Sequence, residues 1–112
     1  MNAYHVGFLY ELRAARYVRR RGCRILARRY RAADGEIDLI AMDGGTLAFI
    51  EVKARPEGKL GSGAAAVNAD KQRRVRHAAQ AYCARFGYSG RPCRFDILEF
   101  SRAGIYYMEN AF

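Results

Sequence analysis

The sequence predicts an α/β domain: a mixed sheet flanked by helices, in the order α-β-β-β-α-β, with a short extra C-terminal strand. Three observations predict it. A chain of 112 residues is one domain with one core, large enough to hide roughly two-thirds of its unfolded surface. Two stretches carry apolar residues at helical spacing, and a glycine follows each. The remaining apolar runs are short and are separated by turn dipeptides, which is the punctuation of strands. Together these describe helices layered on a sheet.

The elements follow in order. The first helix runs from about Val6 to Arg21, because Phe8, Leu12, Ala15 and Val18 recur on one face and Gly22 stands where a C-terminal cap belongs. Cys23 to Tyr30 reads as a strand, closed by Asp34-Gly35. Glu36 to Met42 is a second strand, and Asp43-Gly44-Gly45 is a tight-turn signal. Thr46 to Lys53 is a third, too continuously apolar for a half-wet edge. Gly58, Gly61, Ser62 and Gly63 mark a mobile loop. The second helix spans about Asn68 to Phe86, with Asn68 as N-cap, Val75, Ala79, Tyr82 and Phe86 as its buried stripe and Gly87 ending it. Arg94 to Phe100 is a strand, Ser101 to Gly104 a turn, and Ile105 to Met108 the last strand.

Composition narrows the class. A hydrophobic fraction of 51% with 12% aromatics belongs to folded rather than disordered chains. No apolar run approaches the roughly 20 residues of a membrane span, so no membrane partner is expected. The opening residues, Met1 to His5, lack the charged-then-apolar layout of a secretion signal. Cys23, Cys83 and Cys93 are odd in number and contain no Cys-x-x-Cys pair, which argues against a disulfide framework and a structural zinc site. The expectation is a cytoplasmic protein.

Charge points to a partner. Twenty Lys+Arg against eleven Asp+Glu give +9; the lysines are only Lys53, Lys59 and Lys71, so 20 − 3 leaves seventeen arginines. Arginine is the fork-shaped donor that suits phosphate. Nine arginines and no acid lie between Glu11 and Asp34, and seven bases and no acid between Asp70 and Asp96. Such blocks are the electrostatic footprint of a polyanion binder, and nucleic acid is the favoured partner. A GC-rich genome would also enrich arginine, and a solvated helix face would also carry it.

Two acidic stretches resist a surface reading. Gly35-Glu36-Ile37-Asp38-Leu39-Ile40 puts a carboxylate inside an apolar strand, and Phe49-Ile50-Glu51-Val52-Lys53 puts a carboxylate and an amine inside the next. Alternation places Glu36 with Asp38 on one face and Glu51 with Lys53 on one face. The intervening turn makes the strands antiparallel neighbours and can bring Asp38 to Glu51. Two carboxylates on an apolar sheet repel and are costly to desolvate. A bound cation removes that cost, and an all-oxygen ligand set points to Mg²⁺ or a similar hard ion such as Mn²⁺. Lys53 could then steady an attacking water or the charge developing on a phosphate. The same spacing suits a cross-strand ion pair of Lys53 with Asp38 or Glu51 that merely closes the sheet. Spacing alone leaves both open.

Asp38, twelve intervening residues and Glu51-x-Lys53 resemble the metal-binding signature of the PD-(D/E)xK nuclease superfamily. More closely, the chain from Gly7 to Glu109-Asn110-Ala111-Phe112 resembles the YraN family of uncharacterised bacterial proteins, related to endonucleases and archaeal Holliday-junction resolvases. The residues that carry the resemblance are Gly7 with Glu11, Gly35 to Ile40, Glu51-Val52-Lys53-Ala54-Arg55, Lys71 and Arg94-Phe95-Asp96. It implies a restriction-endonuclease-like core in which Asp38, Glu51 and the Val52 carbonyl hold the metal and Lys53 activates water or stabilises the transition state. Glu11 would reach the site from the first helix as an outer ligand or water-orienting group; alone, it reads as a solvated helix acid. Ile37 stands where the superfamily name has proline, Tyr10 where the family usually has glycine, and Arg29 where it usually has asparagine. None of these removes a ligand.

Other residues read more quietly. Arg55, Lys71 and Arg74 are the candidate phosphate contacts, while Arg73 and Arg76 suit the helix's outer face. Glu36 is expected to pair with an arginine at the strand mouth, and Asp96 with Arg94 or a helix-end arginine. His5 and His77 read as surface or capping histidines, and the cysteines as small packing residues. Tyr106, Tyr107 and Phe112 read as core or dimer-interface aromatics. The function expected is metal-dependent hydrolysis of DNA phosphodiesters, including branched or structured DNA. The alternatives are a DNA-binding module of the same fold that cuts weakly or not at all, and an interaction protein whose acids are a structural ion-pair network. Small size and the two-fold symmetric substrates of resolvase-like proteins add the expectation of a homodimer.

Overall fold

Turn chemistry sets the order of the strands. The computed structural model describes residues 3–55 and 67–112, with side chains from residue 9 onward. Its elements are α1 (Ala3–Arg20), β1 (Arg24–Ala32), β2 (Gly35–Asp43), β3 (Thr46–Ala54), α2 (Ala69–Phe86), β4 (Cys93–Ser101) and β5 (Gly104–Met108). Asp43 pairs with Thr46 across a two-residue loop, Gly44-Gly45, and Gly44 adopts φ +60, the positive value such hairpin turns demand. The expected α-β-β-β-α-β order with a final short strand is therefore the observed one. Gly58, Gly61, Ser62 and Gly63 lie outside the described residues, as do the side chains of His5 and Phe8.

The five strands run β1-β2-β3-β4-β5 across one sheet. β2 runs antiparallel to both β1 and β3, β3 and β4 are parallel, and β5 returns antiparallel to β4. The parallel step needs a crossover, which α2 provides. β3 is central and buried on both faces, as its unbroken apolar run requires. One face packs Leu39, Ala48, Ile50, Leu98 and Phe100 against Ala14, Ala15 and Val18 of α1. The other packs Ile40, Leu47, Phe49 and Phe95 against Val75, Ala78, Ala79 and Tyr82 of α2.

Helix ends match their residues. Gly22 follows α1 at φ +93, and its N–H and that of Cys23 close back on Arg19 and Val18 at 2.9 and 3.2 Å. Asn68 caps α2 by accepting a hydrogen bond from the Lys71 N–H at 2.9 Å. Two expected stripe positions differ. Leu12 is 40% and Phe86 49% exposed. Small Ala14 and Ala15 let α1 sit close to the sheet and leave Leu12 at its rim. Phe86, at the last turn of α2 beside edge strand β1, meets Tyr30 and Tyr82 with one side only, and Ala78 takes the buried place.

Candidate functional site

The sheet forks at the two acidic positions. β2 stays paired with β1 to its end, at Ala32↔Gly35, but its pairing with β3 stops at Leu39↔Ile50. β3 meanwhile continues along β4 through Ala54↔Phe100. Asp38 and Glu51 are the first residues past the last β2–β3 pair, one on each prong. The Val52 N–H, without a strand partner there, donates to Asp38 Oδ2 at 2.8 Å. Asp38 therefore spans the gap sideways. Alternation along β2 also breaks here: Leu39 packs on the α1 side and Ile37 on the α2 side. The expectation that Glu36 and Asp38 share a face is thus corrected, because the strand turns over at Asp38. Glu36 instead pairs with Arg31 at 3.3 Å and Arg29 at 4.0 Å at the strand mouth.

Glu51 is 1% exposed. Its Oε2 lies 3.6 Å from Lys71 Nζ, and its Oε1 is buried with no hydrogen-bond partner. Asp38 and Glu51 act on each other's ionisation. Burial pushes both carboxyls up. Glu51 reaches about 8, by burial first and the Asp38 charge second, with Lys71 and Lys53 opposing. Asp38 is raised by burial, while the Val52 N–H and the two lysines pull the other way. Such a pair holds an extra proton where isolated carboxyls hold none.

Lys53 is half-buried and acts on both carboxyls electrostatically. The ammonium within ion-pair distance of Glu51 is that of Lys71, not Lys53. Lys71, Arg74, Arg31, Gly35 and Glu36 line an open cleft of ≈ 420 Å³ beside the fork. Gly35 is obligatory there, since a Cβ would stand 2.1 Å from the Arg74 carbonyl oxygen. Lys71 thus walls both the cleft and the carboxyl pair. Arg74 reaches Asp70 at 3.1 Å, and the Arg55 N–H donates to the Phe100 carbonyl at 2.7 Å at the end of the fork.

Glu11 is placed differently. Its carboxylate meets Arg29 at 3.4 Å, and among the described residues no three His, Cys, Asp or Glu side chains gather closely enough to share an ion. Arg29 lies between Arg28 and Tyr30, which pair with Leu39 and Ile37, and adopts φ +51, a left-handed conformation that asparagine tolerates far better than arginine. Arg29 thus bridges Glu11 to Glu36.

Sequence reasoning passed over Glu99. It is fully buried and in parallel register with Lys53; an acid inside the run Phe95 to Phe100 was its signal. Asp96 is structural as expected, held by Arg94 at 2.8 Å. His77 meets Asp34 at 3.0 Å on the surface. Of the cysteines only Cys23 is buried; Cys83 is half-buried and Cys93 exposed, because Cys93 opens the strand at the sheet's end. Tyr107 and Phe112 are half-buried and Tyr106 exposed. Among the described residues no helix is long and apolar enough to cross a membrane.

The donor set, a buried and a half-buried carboxylate with one orphaned oxygen, fits a hard divalent cation. Comparison with known proteins adds the kinship. The model of the uncharacterised protein family UPF0102 matches residues 10–100. A UPF0102 protein of Symbiobacterium thermophilum is 49% identical over 94 residues, covering 84% of this chain and 80% of its own. One from Burkholderia thailandensis is 40% identical over 108 residues, covering 96% and 74%. One from Chlorobium chlorochromatii is 50% identical over 90 residues, covering 79% and 67%. The chain belongs to the UPF0102 family, the YraN family its motifs resemble.

Proposed function

We propose that this protein is a cytoplasmic, metal-dependent endonuclease that hydrolyses DNA phosphodiesters, branched or otherwise structured DNA included. One observation carries the reading: a fully buried glutamate, orphaned at one oxygen and pressed against a second carboxylate, at a fork in the sheet beside two lysines. Stable cores satisfy their buried acids, so an arrangement left this incomplete suits a ligand that completes it. Asp38 and Glu51 would hold Mg²⁺ or Mn²⁺. That ion, when bound, supplies the positive charge that makes water more acidic and the phosphate more electrophilic.

The chain's own residues do the rest. The Val52 N–H fixes the orientation of Asp38. Lys53 brings positive charge to the fork, where it can steady a water or the developing phosphate charge. Arg31, Lys71 and Arg74 line the open cleft and receive the phosphates; Arg55 extends them along the strand. On α1, Arg13, Arg16 and Arg20 flank a groove with Tyr17 and Ile105, and among the described residues no acid lines it. Three free cysteines suit a reducing compartment. A homodimer would present two such sites to a two-fold symmetric substrate; light scattering that returns a monomer at high concentration excludes it.

The Glu11–Arg29 ion pair favours a second reading, a DNA-binding module that cuts weakly or not at all, because it engages the acid that would assist the pair. A cleavage screen separates the two. Wild type and Asp38→Asn are incubated with Mg²⁺ or Mn²⁺ and duplex, single-stranded, flap or four-way-junction DNA. Cutting by wild type alone, with binding retained in the variant, is expected. Tight salt-dependent binding with no cutting by either supports the module, and absence of DNA affinity in both ends either reading.

A further inference from the structure

Lys71 stands at the third helical position of α2, three residues after the Asn68 cap. Helices prefer glutamate or glutamine there, where the side chain can return to the cap's N–H, and the positive end of the helix dipole disfavours a cation. The amine does not serve the helix. It is turned to the fork, 3.6 Å from Glu51 Oε2, and is one-third exposed. The pair is therefore long, open on one side to the cleft and easily parted. Meanwhile Glu51 Oε1, on the same carboxylate, lacks any partner.

We infer that Lys71 is an internal stand-in for the divalent cation: its ammonium occupies the Glu51 side of the fork in the metal-free protein and withdraws into the cleft, toward the substrate phosphate, when the ion enters. This rests on the metal reading above. A monovalent ammonium and a divalent ion held against one buried carboxylate repel each other, since like charges a few ångströms apart in a poorly solvated site interact strongly. The amine has somewhere to go, because Lys71 also lines the cleft with Arg31 and Arg74. The positioning residue thus couples metal entry to phosphate capture, as one side chain serves first one anion and then the other.

The test is Mn²⁺ alone, titrated anaerobically without DNA at one fixed pH. Lys71→Gln is the informative variant, because glutamine is favourable at its helix position and keeps the fold; Lys71→Arg retains the charge. Removal of a partly screened like charge is expected to tighten Mn²⁺ binding by about tenfold in Lys71→Gln, with Lys71→Arg within about twofold of wild type. DNA affinity in the presence of Mn²⁺ is expected to fall in Lys71→Gln. Unchanged or weaker Mn²⁺ binding in a folded Lys71→Gln overturns the inference and leaves the metal site standing. No Mn²⁺ binding by wild type and both variants overturns the metal reading itself, and this inference with it.

Discussion

Two buried carboxylates lie on adjacent strands of this sheet, one register row apart, and they are treated in opposite ways. Ile50 pairs with Asp96 and Glu51 with Ile97, so Asp96 and Glu51 share nearly the same depth, at 0% and 1% exposure. Asp96 is saturated. It accepts from Arg94 Nε at 2.8 Å, Tyr107 Oη at 2.5 Å and the Asn110 N–H at 3.0 Å. Its donors respond: burial and the Asp96 hydrogen bond raise the Tyr107 hydroxyl, and Arg94 is held charged by Asp96 and Asp43 despite burial. Glu51 has a distant ammonium, a second acid and an empty lone pair. A buried acid with full partners is part of the architecture; one left short keeps a place for something else.

The comparison breaks most severely at Asp96. Asp96→Ala strands the Tyr107 hydroxyl and the Asn110 N–H and removes a partner from Arg94, so a loss of about 3–5 kcal/mol is expected, read by chemical denaturation. The network also ties the β5 end to the sheet, and its loss should loosen that end first in hydrogen exchange. A loss under about 1 kcal/mol would mean that Asp96 is no more structural than Glu51.

Glu51→Gln is expected to act with the opposite sign. In the folded protein burial, and then the Asp38 charge, push the Glu51 carboxyl up to about 8 from the ordinary 4.5. The folded state therefore keeps a proton that the unfolded chain releases. Its stability is complete below about pH 4.5 and declines as pH rises through about 8. The apoprotein should therefore lose on the order of a few kcal/mol across that interval, a loss that belongs to the coupled Glu51–Asp38 pair as a whole. Glu51→Gln removes much of the slope and should be the more stable protein in EDTA at about pH 8.5. Added Mn²⁺ should then stabilise wild type and not the variant. Parallel melting curves for the two proteins from pH 5 to 9 would remove Glu51 from the site.

Much of this difference is legible in the chain, and the illegible part has a physical cause. Apolar runs and turn residues place every strand, since hairpin loops and a central buried strand leave local marks. Asp38 and Glu51 announce themselves as acids inside apolar strands. Their partners do not. Lys71 reads as a phosphate contact because nothing local tells which way a first-turn lysine points; only the crossover of α2 over the fork sends it to Glu51. Strict alternation pairs Glu36 with Asp38, but the strand turns over where β2 leaves β3, a consequence of tertiary divergence that no period of two contains. Glu11 alone reads as a solvated helix acid, and only the fold shows that Arg29 reaches it. Glu99 carries the same mark as Asp96, an acid in a run of hydrophobics, and is buried like it.

The smallest effect concerns how the two acids are anchored. The partners of Asp96 sit on strands and on the closing turn, whereas the ammonium of Glu51 hangs from the first turn of a helix held by one exposed cap. Asn68→Ala removes the acceptor for the Lys71 N–H, which typically costs about 1 kcal/mol, or roughly 4 °C in melting temperature for a domain of this size. The loss should not be uniform with pH. A frayed first turn lets Lys71 drift from Glu51, and that matters only once Glu51 ionises, so the deficit should grow as pH rises toward 9. Asn68→Asp, which caps equally well, should restore wild-type behaviour across the range. Resonances of Tyr107 should be indifferent to both substitutions. A deficit that is constant with pH would show that the cap stabilises the helix alone, and that the placement of Lys71 is fixed by packing rather than by its helix terminus.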